Sequence, residues 1–579
     1  MTVSEVIAEL RKNKIHLRIE EGNLKLSGDV KNLPKSLLVE IKSNKTEILN
    51  FLEQKEAVPE NEVILAIERT RKYPLSNAQK RIWVLAQFEG GNVAYNIASQ
   101  MHLRGVLIAE NLEEAFRLAI KRHESLRTSF RIDNGEPYQF INNDLEFEIE
   151  QADYSGDKNI KEKLKQEVLE LNNMNLDLVN GPLMAVKLVR ISEDQWALLF
   201  VIHHIISDGW SIAVLIQEVM ANYKRICLES NTNSEELSIQ YLDFSNWLQQ
   251  RINGKFGIAA RKYWSQKNLG EVAPINLPVD FERSAINSFE GSRKKFYFDS
   301  EFHSRLDQFA RKNQTTVFNL YRAVLSCYFH KISTASKLIL GTPAAGRSHV
   351  QLGDQIGLYV NTIPLVSNYN PTQTFQEYLQ LISADSLESL RFQDYPLDLV
   401  LEAENITRDP ARNPLFDVLI VVQNTAIGDG SMDLKNQHGF IMEELDAFLS
   451  DSVQTEKDGV ASKFDLTFNF AVEPDSKYFL EIEYKTKLFK KESILQLFET
   501  FLSLLEEVMK NDQVLMQDIS IVPALEKEQL LFEFNRPFEA LSQAQSISGL
   551  LKDSFERNAN QMALLVDDRS ITYKELDEQ

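Results

Sequence analysis

The chain has 579 residues, enough for several domains, with the 43% hydrophobic and 25% charged content of a globular protein. A formal net charge of −21 argues against nucleic acid or an anionic membrane as the main partner, because binding phosphates needs a basic field. No apolar run reaches the length of a membrane span, Met1-Thr-Val-Ser-Glu5 lacks a signal-peptide start, and neither a Walker loop nor a GxGxxG pattern occurs; a cytoplasmic protein without a nucleotide site is expected.

Residues 1–53 read as a separate unit of αββαα order. Ser4 can cap a helix through about Asn13, and His16–Ile19 and Asn23–Leu26 flank Glu20-Glu21-Gly22 as a hairpin. Pro34 opens a second helical stretch to Ile41, and Thr46 can cap a third. Through Asn50 this piece carries nine basic and seven acidic residues, a net +2 on a strongly acidic chain. The open edge of a two-stranded hairpin can accept a peptide by strand addition. Residues 54–70 read as a linker.

A lobe at 71–251 follows, with a strand at Asn96–Leu103, a helix from Asn111 to about Glu124, and strands at Leu126–Ile132 and Pro137–Ile141. A second lobe at 252–512 restarts with a strand at Lys294–Phe298. Helices at Glu301–Arg311 and Val317–His330 come next, then a strand at Leu338–Gly341 and a hairpin of Leu466–Val472 with Tyr478–Tyr484. The two halves repeat a similar order of elements, which suggests related lobes with a site between them. Residues 513–545 read as a linker. Residues 546–579 open a further unit with too little chain for a core, so a longer native protein is expected. Cys227 and Cys327 lie in apolar, helix-like surroundings and are expected to be buried free thiols.

The first lobe's most telling stretch runs from Trp196 to Ser211. An apolar run of strand length, Trp196–Ile202, ends in His203 and His204; Asp208-Gly209 forms a turn, and an amphipathic helix starts at Ser211. Strand side chains alternate, so one imidazole can face a cavity while the other turns into the protein. The same divergence makes a metal site a poor reading, and no third His or Cys stands nearby at ligand spacing. Gly209 can take a positive φ and present bare backbone N–H to a bound group. The arrangement suits acyl transfer to a nucleophile supplied by the substrate.

These residues resemble the condensation domains of nonribosomal peptide synthetases. His203-His204-x-x-x-Asp208-Gly209 is that family's active-site signature, and six further stretches fall in the family's order. They are Ser76–Trp83, Arg122–Phe130, Tyr241–Trp247, Ile356–Thr362, Gln393–Pro396 and Arg408–Asp417, so the likeness covers about residues 70–512. The first stretch resembles that of domains joining two L-configured partners. Residues 1–53 resemble a docking domain of the tubulysin-synthetase type, which receives the C-terminal tail of an upstream synthase. The last thirty-odd residues look like the start of an adenylation domain, with Ile571–Leu576 near its first motif.

The resemblance implies an α+β fold: a V-shaped pair of chloramphenicol-acetyltransferase-like lobes around a central tunnel. It implies attack of a carrier-bound aminoacyl amine on a carrier-bound acyl or peptidyl thioester. Both substrates would hang from 4′-phosphopantetheine arms, with no cofactor or metal held by this chain. Ser207 and Ser211 are then turn and cap residues rather than nucleophiles. By the family pattern His204 faces the tunnel, its free pKa of about 6.5 suits proton exchange, and it either orients the amine or takes its proton. The backbone N–H of Gly209 is the candidate oxyanion donor. His203 is expected to anchor the loop, and Asp208 to pair with an arginine, Arg347 first and Arg127 as the alternative. The same signature is shared by coenzyme-A-dependent acyltransferases, which gives one alternative; a condensation-like domain that only recruits partners is another, although such domains usually lose the histidine kept here as His204.

Overall fold

The computed structural model describes residues 15–20, 23–28 and 63–579, apart from 89, 230–235, 405, 407–408, 424–439, 450–455, 473–476, 536–545 and 567–568. The helices expected at Ser4–Asn13, Lys35–Ile41 and beyond Thr46 lie outside the described residues, as do the turn at Glu21-Gly22 and Arg408. The hairpin is present, with Ile15–Glu20 pairing antiparallel to Asn23–Gly28 and Glu20 opposite Asn23.

The first lobe is built on a five-stranded sheet. Its order is Phe440–Glu444, Asn96–Gly105, Gln195–His203, Met184–Arg190 and Glu150–Asp153. The strand that carries the histidines is central, which explains its unbroken apolar run. Every residue from Ala197 to His203 is at most 2% exposed, so both faces must be apolar. Helices Ala109–Arg122 and Gly209–Cys227 pack on each other, and Phe116 and Leu215 meet Leu198 and Phe200 of that strand. Helix Ile160–Asn172 also packs on the sheet. Each fully buried side chain of this kind contributes about 1.5–3 kcal/mol. A smaller sheet joins Tyr73–Pro74, Glu136–Ile141 and Thr128–Asp133.

The second lobe has a seven-stranded mixed sheet, in the order Asn361–Asn368, Lys337–Ala344, Val418–Val422, Leu466–Val472, Tyr478–Lys485, Glu290–Phe298 and Glu456–Ala461. Helices Val317–Ser333, Phe375–Arg391 and Lys491–Lys510 cover it. Leu466–Val472 and Tyr478–Lys485 pair antiparallel as expected, with Val472 opposite Tyr478.

Four boundaries differ from the sequence reading. Phe440–Glu444 adds an edge strand to the first lobe's sheet, with Met442 opposite Leu103, although it lies within the second lobe's span of sequence. Leu352, Ile356, Leu358 and Tyr359 likewise belong to the first lobe's core. Alternating apolar residues announce a strand or a buried segment but not the sheet it joins. Residues 63–70 are not free linker: Ile64 is 1% exposed, and Arg69 makes a bidentate bond to Asp243 at 2.7 and 2.9 Å. Residues 513–519 are not linker either, since Phe375 N–H donates to Val514 O, Met516 N–H to Gln373 O, and Met516 and Ile519 are buried.

The chain divides into Met1–Ile519 and Ser520–Gln579. In the second unit, helix Ile547–Arg557 precedes a hairpin of Met562–Val566 with Arg569–Thr572, and helix Tyr573–Glu578 follows. Of the cysteines, Cys327 is buried as expected. Cys227 is exposed instead, because it is the last residue of its helix. Among the described residues no helix is long and apolar enough to cross a membrane.

Candidate active site

The site grows from the C-terminal end of the central strand. His203 pairs with Asn96 on the neighbouring strand and its N–H donates to Leu183 O, while the next amide, that of His204, donates to Tyr95 O at 2.8 Å. The two imidazoles then diverge. His203 is fully buried; its Nδ1 accepts from Ile205 N–H and its Nε2–H donates to Asn92 O, each at 3.2 Å. Burial lowers its pKa to about 3, so this ring is a neutral brace for the loop.

His204 is partly exposed, and its Nδ1–H donates to Ser207 O at 2.8 Å. That bond assigns the tautomer and leaves Nε2 as a lone pair with no partner among the described residues. Burial first, then the charge of Lys463, lowers the His204 pKa to about 4, with Asp208 opposing. The free value of 6.5 expected from sequence is therefore corrected: this imidazole is neutral throughout the physiological range. The T-shaped neighbour of the ring is Tyr95, with centroids 6.3 Å apart.

Asp208 is the N-cap of helix Gly209–Cys227, in place of the cap expected at Ser211. Its Oδ1 accepts from Ser211 N–H at 2.8 Å, from Ser211 Oγ–H at 2.7 Å and from Arg347 Nη2–H at 3.1 Å. Its Oδ2 accepts from the N–H groups of Tyr359 at 3.0 Å and Val360 at 3.3 Å. Five donors thus surround one carboxylate that is 2% exposed. Arg347 also donates to Leu352 O and Gln355 O, and its guanidinium lies 4.2 Å over the Tyr359 ring. The preceding Gly346 has φ +65°, and a Cβ there would sit 1.9 Å from Tyr359 O, so only glycine lets the chain turn Arg347 onto Asp208. Arg127 is not this partner: it ends the turn before strand Thr128–Asp133 and gives its guanidinium to Asn143 Oδ1.

Gly209 is the first residue of the helix and does not adopt a positive φ, so the conformational reason expected from sequence does not apply. A Cβ there would meet nothing within 4 Å. Its N–H has no partner among the described residues and stands at the positive end of the helix dipole. Gly209→Ala is expected to leave the unfolding free energy unchanged or raise it by up to about 1 kcal/mol, as judged by calorimetry. A loss of turnover in that variant would come from the added methyl filling the open space.

Most of the other sequence stretches brace this loop. Ser76 caps helix Asn77–Leu85 in a capping box with Gln79, and buried Gln79 donates to Ile205 O. Ser76 Oγ meets Tyr241 OH at 2.7 Å, and Tyr241 OH donates to Leu358 O. Arg122 and His123 both hold Glu218 on the helix that Asp208 caps, at 2.6 and 2.8 Å. Asn361 donates to Gln393 O and Tyr395 O, each at 2.8 Å. Ser76, Tyr241 and Tyr359 also line a small cleft together with Arg81, Asn361, Asp394 and Asp398. Sequence reasoning missed Tyr95 and Lys463. The strand register could have placed Tyr95 one residue before Asn96, the partner of His203; nothing in the sequence marks Lys463. Among the described residues no cluster of three His, Cys, Asp or Glu side chains could hold a metal ion.

Comparison with known proteins fits this geometry. Residues 69–531 match the condensation domain and residues 3–54 the TubC N-terminal docking domain. The chain is 33% identical over 515 residues to bacitracin synthase 3 of Bacillus licheniformis, covering 89% of this chain and 8% of that protein. It is 32% identical over 506 residues to gramicidin S synthase 2 of Brevibacillus brevis, covering 87% and 11%. It thus spans a minor part of these relatives' length. Its fold is similar to that of a four-domain nonribosomal peptide synthetase bound to AMP and glycine, with a TM-score of 0.72 and 21% identity, over 89% of this chain and 38% of the other. It is also similar to the X-domain from teicoplanin biosynthesis, with a TM-score of 0.69 and 20% identity, over 79% and 100%. The chain belongs to the condensation-domain family, with an N-terminal docking domain ahead of the catalytic fold.

Proposed function

We propose that this chain forms a peptide bond between two carrier-bound substrates within a nonribosomal peptide synthetase elongation module. The donor is an acyl or peptidyl thioester and the acceptor an aminoacyl thioester, each on a carrier protein's 4′-phosphopantetheine. The observation that carries this reading is the His204 imidazole, neutral, tied down at Nδ1 and open at Nε2. The acceptor amine adds to the donor carbonyl, forming the C–N bond and moving the C=O π pair onto oxygen. His204 Nε2 orients the amine and takes its proton once the adduct has made that nitrogen acidic. Collapse expels the donor thiolate, which receives the proton and leaves as the free pantetheine thiol. The Gly209 N–H faces the developing oxyanion. Asp208, Arg347 and His203 hold the loop and touch no substrate.

A proton acceptor with a pKa near 4 is a weak base for a free ammonium, so the amine must arrive neutral. An α-amine titrates near 7.7–8.0, leaving a useful neutral fraction at pH 7. The dependence of condensation rate on pH is expected to follow the amine, rising from about pH 6 toward 8, without a separate inflection near 6.5. An inflection near 6.5 that disappears in His204→Ala would show the ring to be solvated and titrating.

Residues 1–53 bind the C-terminal tail of an upstream synthase, and residues 546–579 are the opening of an adenylation domain that loads the acceptor carrier. Such a protein works in the cytoplasm. The docking-domain match argues against a free-standing coenzyme-A-dependent acyltransferase, and the open Nε2 of His204 argues against a recruitment domain without catalysis. The test is a mass-spectrometric condensation assay with defined donor and acceptor carriers. Amide product from the wild type, and its loss in His204→Ala, is the expected result. Turnover of acyl-coenzyme A in preference to carrier-bound donors would overturn the reading.

A further inference from the structure

Lys463 enters the site from the second lobe, in the loop between strands Glu456–Ala461 and Leu466–Val472. This loop is heavily braced. Its own carbonyl accepts from Asn413 Nδ2–H at 2.8 Å, and the buried Ser462 donates its hydroxyl to Phe464 O. Asp465, fully buried, is bonded by Arg283 and by Lys485 Nζ at 3.1 Å. The ammonium lies 4.6 Å over the Tyr95 ring, which also stands edge-on to the His204 imidazole, and it makes no hydrogen bond or ion pair with any described residue. An ammonium has three donors, and here no described residue takes any of them, so they are open to solvent or to a ligand entering beside His204.

We propose that Lys463 is a further catalytic residue, whose ammonium, held over Tyr95 beside His204, contacts the reacting thioester and stabilises the negative charge that builds on its oxygen. This rests on the amide-forming reading above and deepens it. The two charges cooperate in the reaction sequence. The lysine's field favours the oxyanion and disfavours a lasting imidazolium, so the proton taken by His204 passes on to the departing sulfur rather than resting on the ring. The groups facing the ammonium are His203 and His204 of the first lobe's loop, Arg81 of helix Asn77–Leu85, and Arg293 and Glu483 of the second lobe's sheet. Burial, opposed by Glu483 and aided by Arg293 and Arg81, lowers the lysine's pKa to about 8. The charge is therefore present at neutral pH and lost just above it.

The test compares wild type, Lys463→Met, Lys463→Arg and His204→Ala in the carrier-bound condensation assay from about pH 6.5 to 9, a range that brackets the lysine's titration. Lys463→Met is expected to lower kcat about 100-fold with KM for both carriers unchanged. Lys463→Arg is expected to keep most of the rate and to lose the decline above about pH 8, since a guanidinium stays charged there. Independently of turnover, NMR titration of the labelled resting protein should show the His204 pKa rising in Lys463→Met and not in Lys463→Arg. Full kcat in Lys463→Met beside an inactive His204→Ala overturns the role of the lysine while leaving the amide-forming reading intact. A His204 titration unmoved by Lys463→Met overturns the proposal even if no condensation is seen. A wild type inactive with every carrier pair, but with the His204 titration shifted as expected, overturns the amide-forming reading instead and with it the catalytic assignment of Lys463.

Discussion

Replacing His204 by alanine is expected to lower the rate of amide formation by about 10²–10⁴-fold while leaving the circular dichroism spectrum and melting temperature close to wild type. The reason is local. The only hydrogen bond the side chain makes with a described residue is the one from Nδ1–H to Ser207 O, and the loop keeps its shape through backbone bonds and His203. His204→Ala thus removes the proton carrier and little else. Each tenfold in rate corresponds to about 1.4 kcal/mol of barrier, so the loss stands for roughly 3–5.5 kcal/mol. A residual rate above that of free thioester and amine is expected from holding both substrates together. Full activity in the variant, measured by mass spectrometry with matched carriers, would mean that positioning alone suffices. His203→Ala is expected to behave differently, because it leaves Ile205 N–H without its acceptor in a fully buried site.

The second large effect concerns Asp208. Asp208→Ala removes the acceptor of five hydrogen bonds and leaves the Arg347 guanidinium, only 4% exposed, without its counter-charge. Breaking a buried pair by deleting one partner costs about 3–5 kcal/mol, and the lost helix cap adds about 1 kcal/mol. Chemical denaturation should therefore show a large loss of stability, together with low soluble yield. Asp208→Asn keeps the shape and part of the acceptor capacity, and is expected to fall between wild type and alanine. Because Tyr359 and Val360 also bond this carboxylate, the damage should reach the segment by which the second lobe enters the first lobe's core. Normal stability with lost turnover in Asp208→Ala would reassign the carboxylate from scaffold to chemistry.

The pairing of Asp208 shows where sequence reasoning stops. A carboxylate four residues after an active-site histidine, in a mostly apolar stretch, calls for a cation, and both Arg347 and Arg127 were compatible with that demand. Choosing between them needs the chain path. Gly346 turns Arg347 toward the helix N-terminus, whereas Arg127 is carried away by the strand it starts. Gly209 shows the same limit from another side: its type was legible as significant, but its reason is open space rather than a left-handed backbone. The imidazole's pKa was also out of reach. A free value describes a solvated ring, and only the packing around His204 and the arrival of Lys463 set its desolvation and field.

Local elements and the chemistry they can carry were legible in the order of residues alone. The continuous apolar run before His203 demanded a strand covered on both faces, alternation in Leu466–Val472 and Tyr478–Lys485 demanded a hairpin, and the strand-to-helix junction exposed one imidazole. These are short-range consequences of a roughly 2.0- or 3.6-residue period and of side-chain type. Which residues more than a hundred positions apart meet depends on the folded chain path: Asp208 with Arg347, Asn96–Gly105 with Phe440–Glu444, His204 with the field of Lys463. Such contacts depend on how two lobes are threaded through each other. The same hydrophobic pattern buries as well against one sheet as another, so it carries no address for its partner.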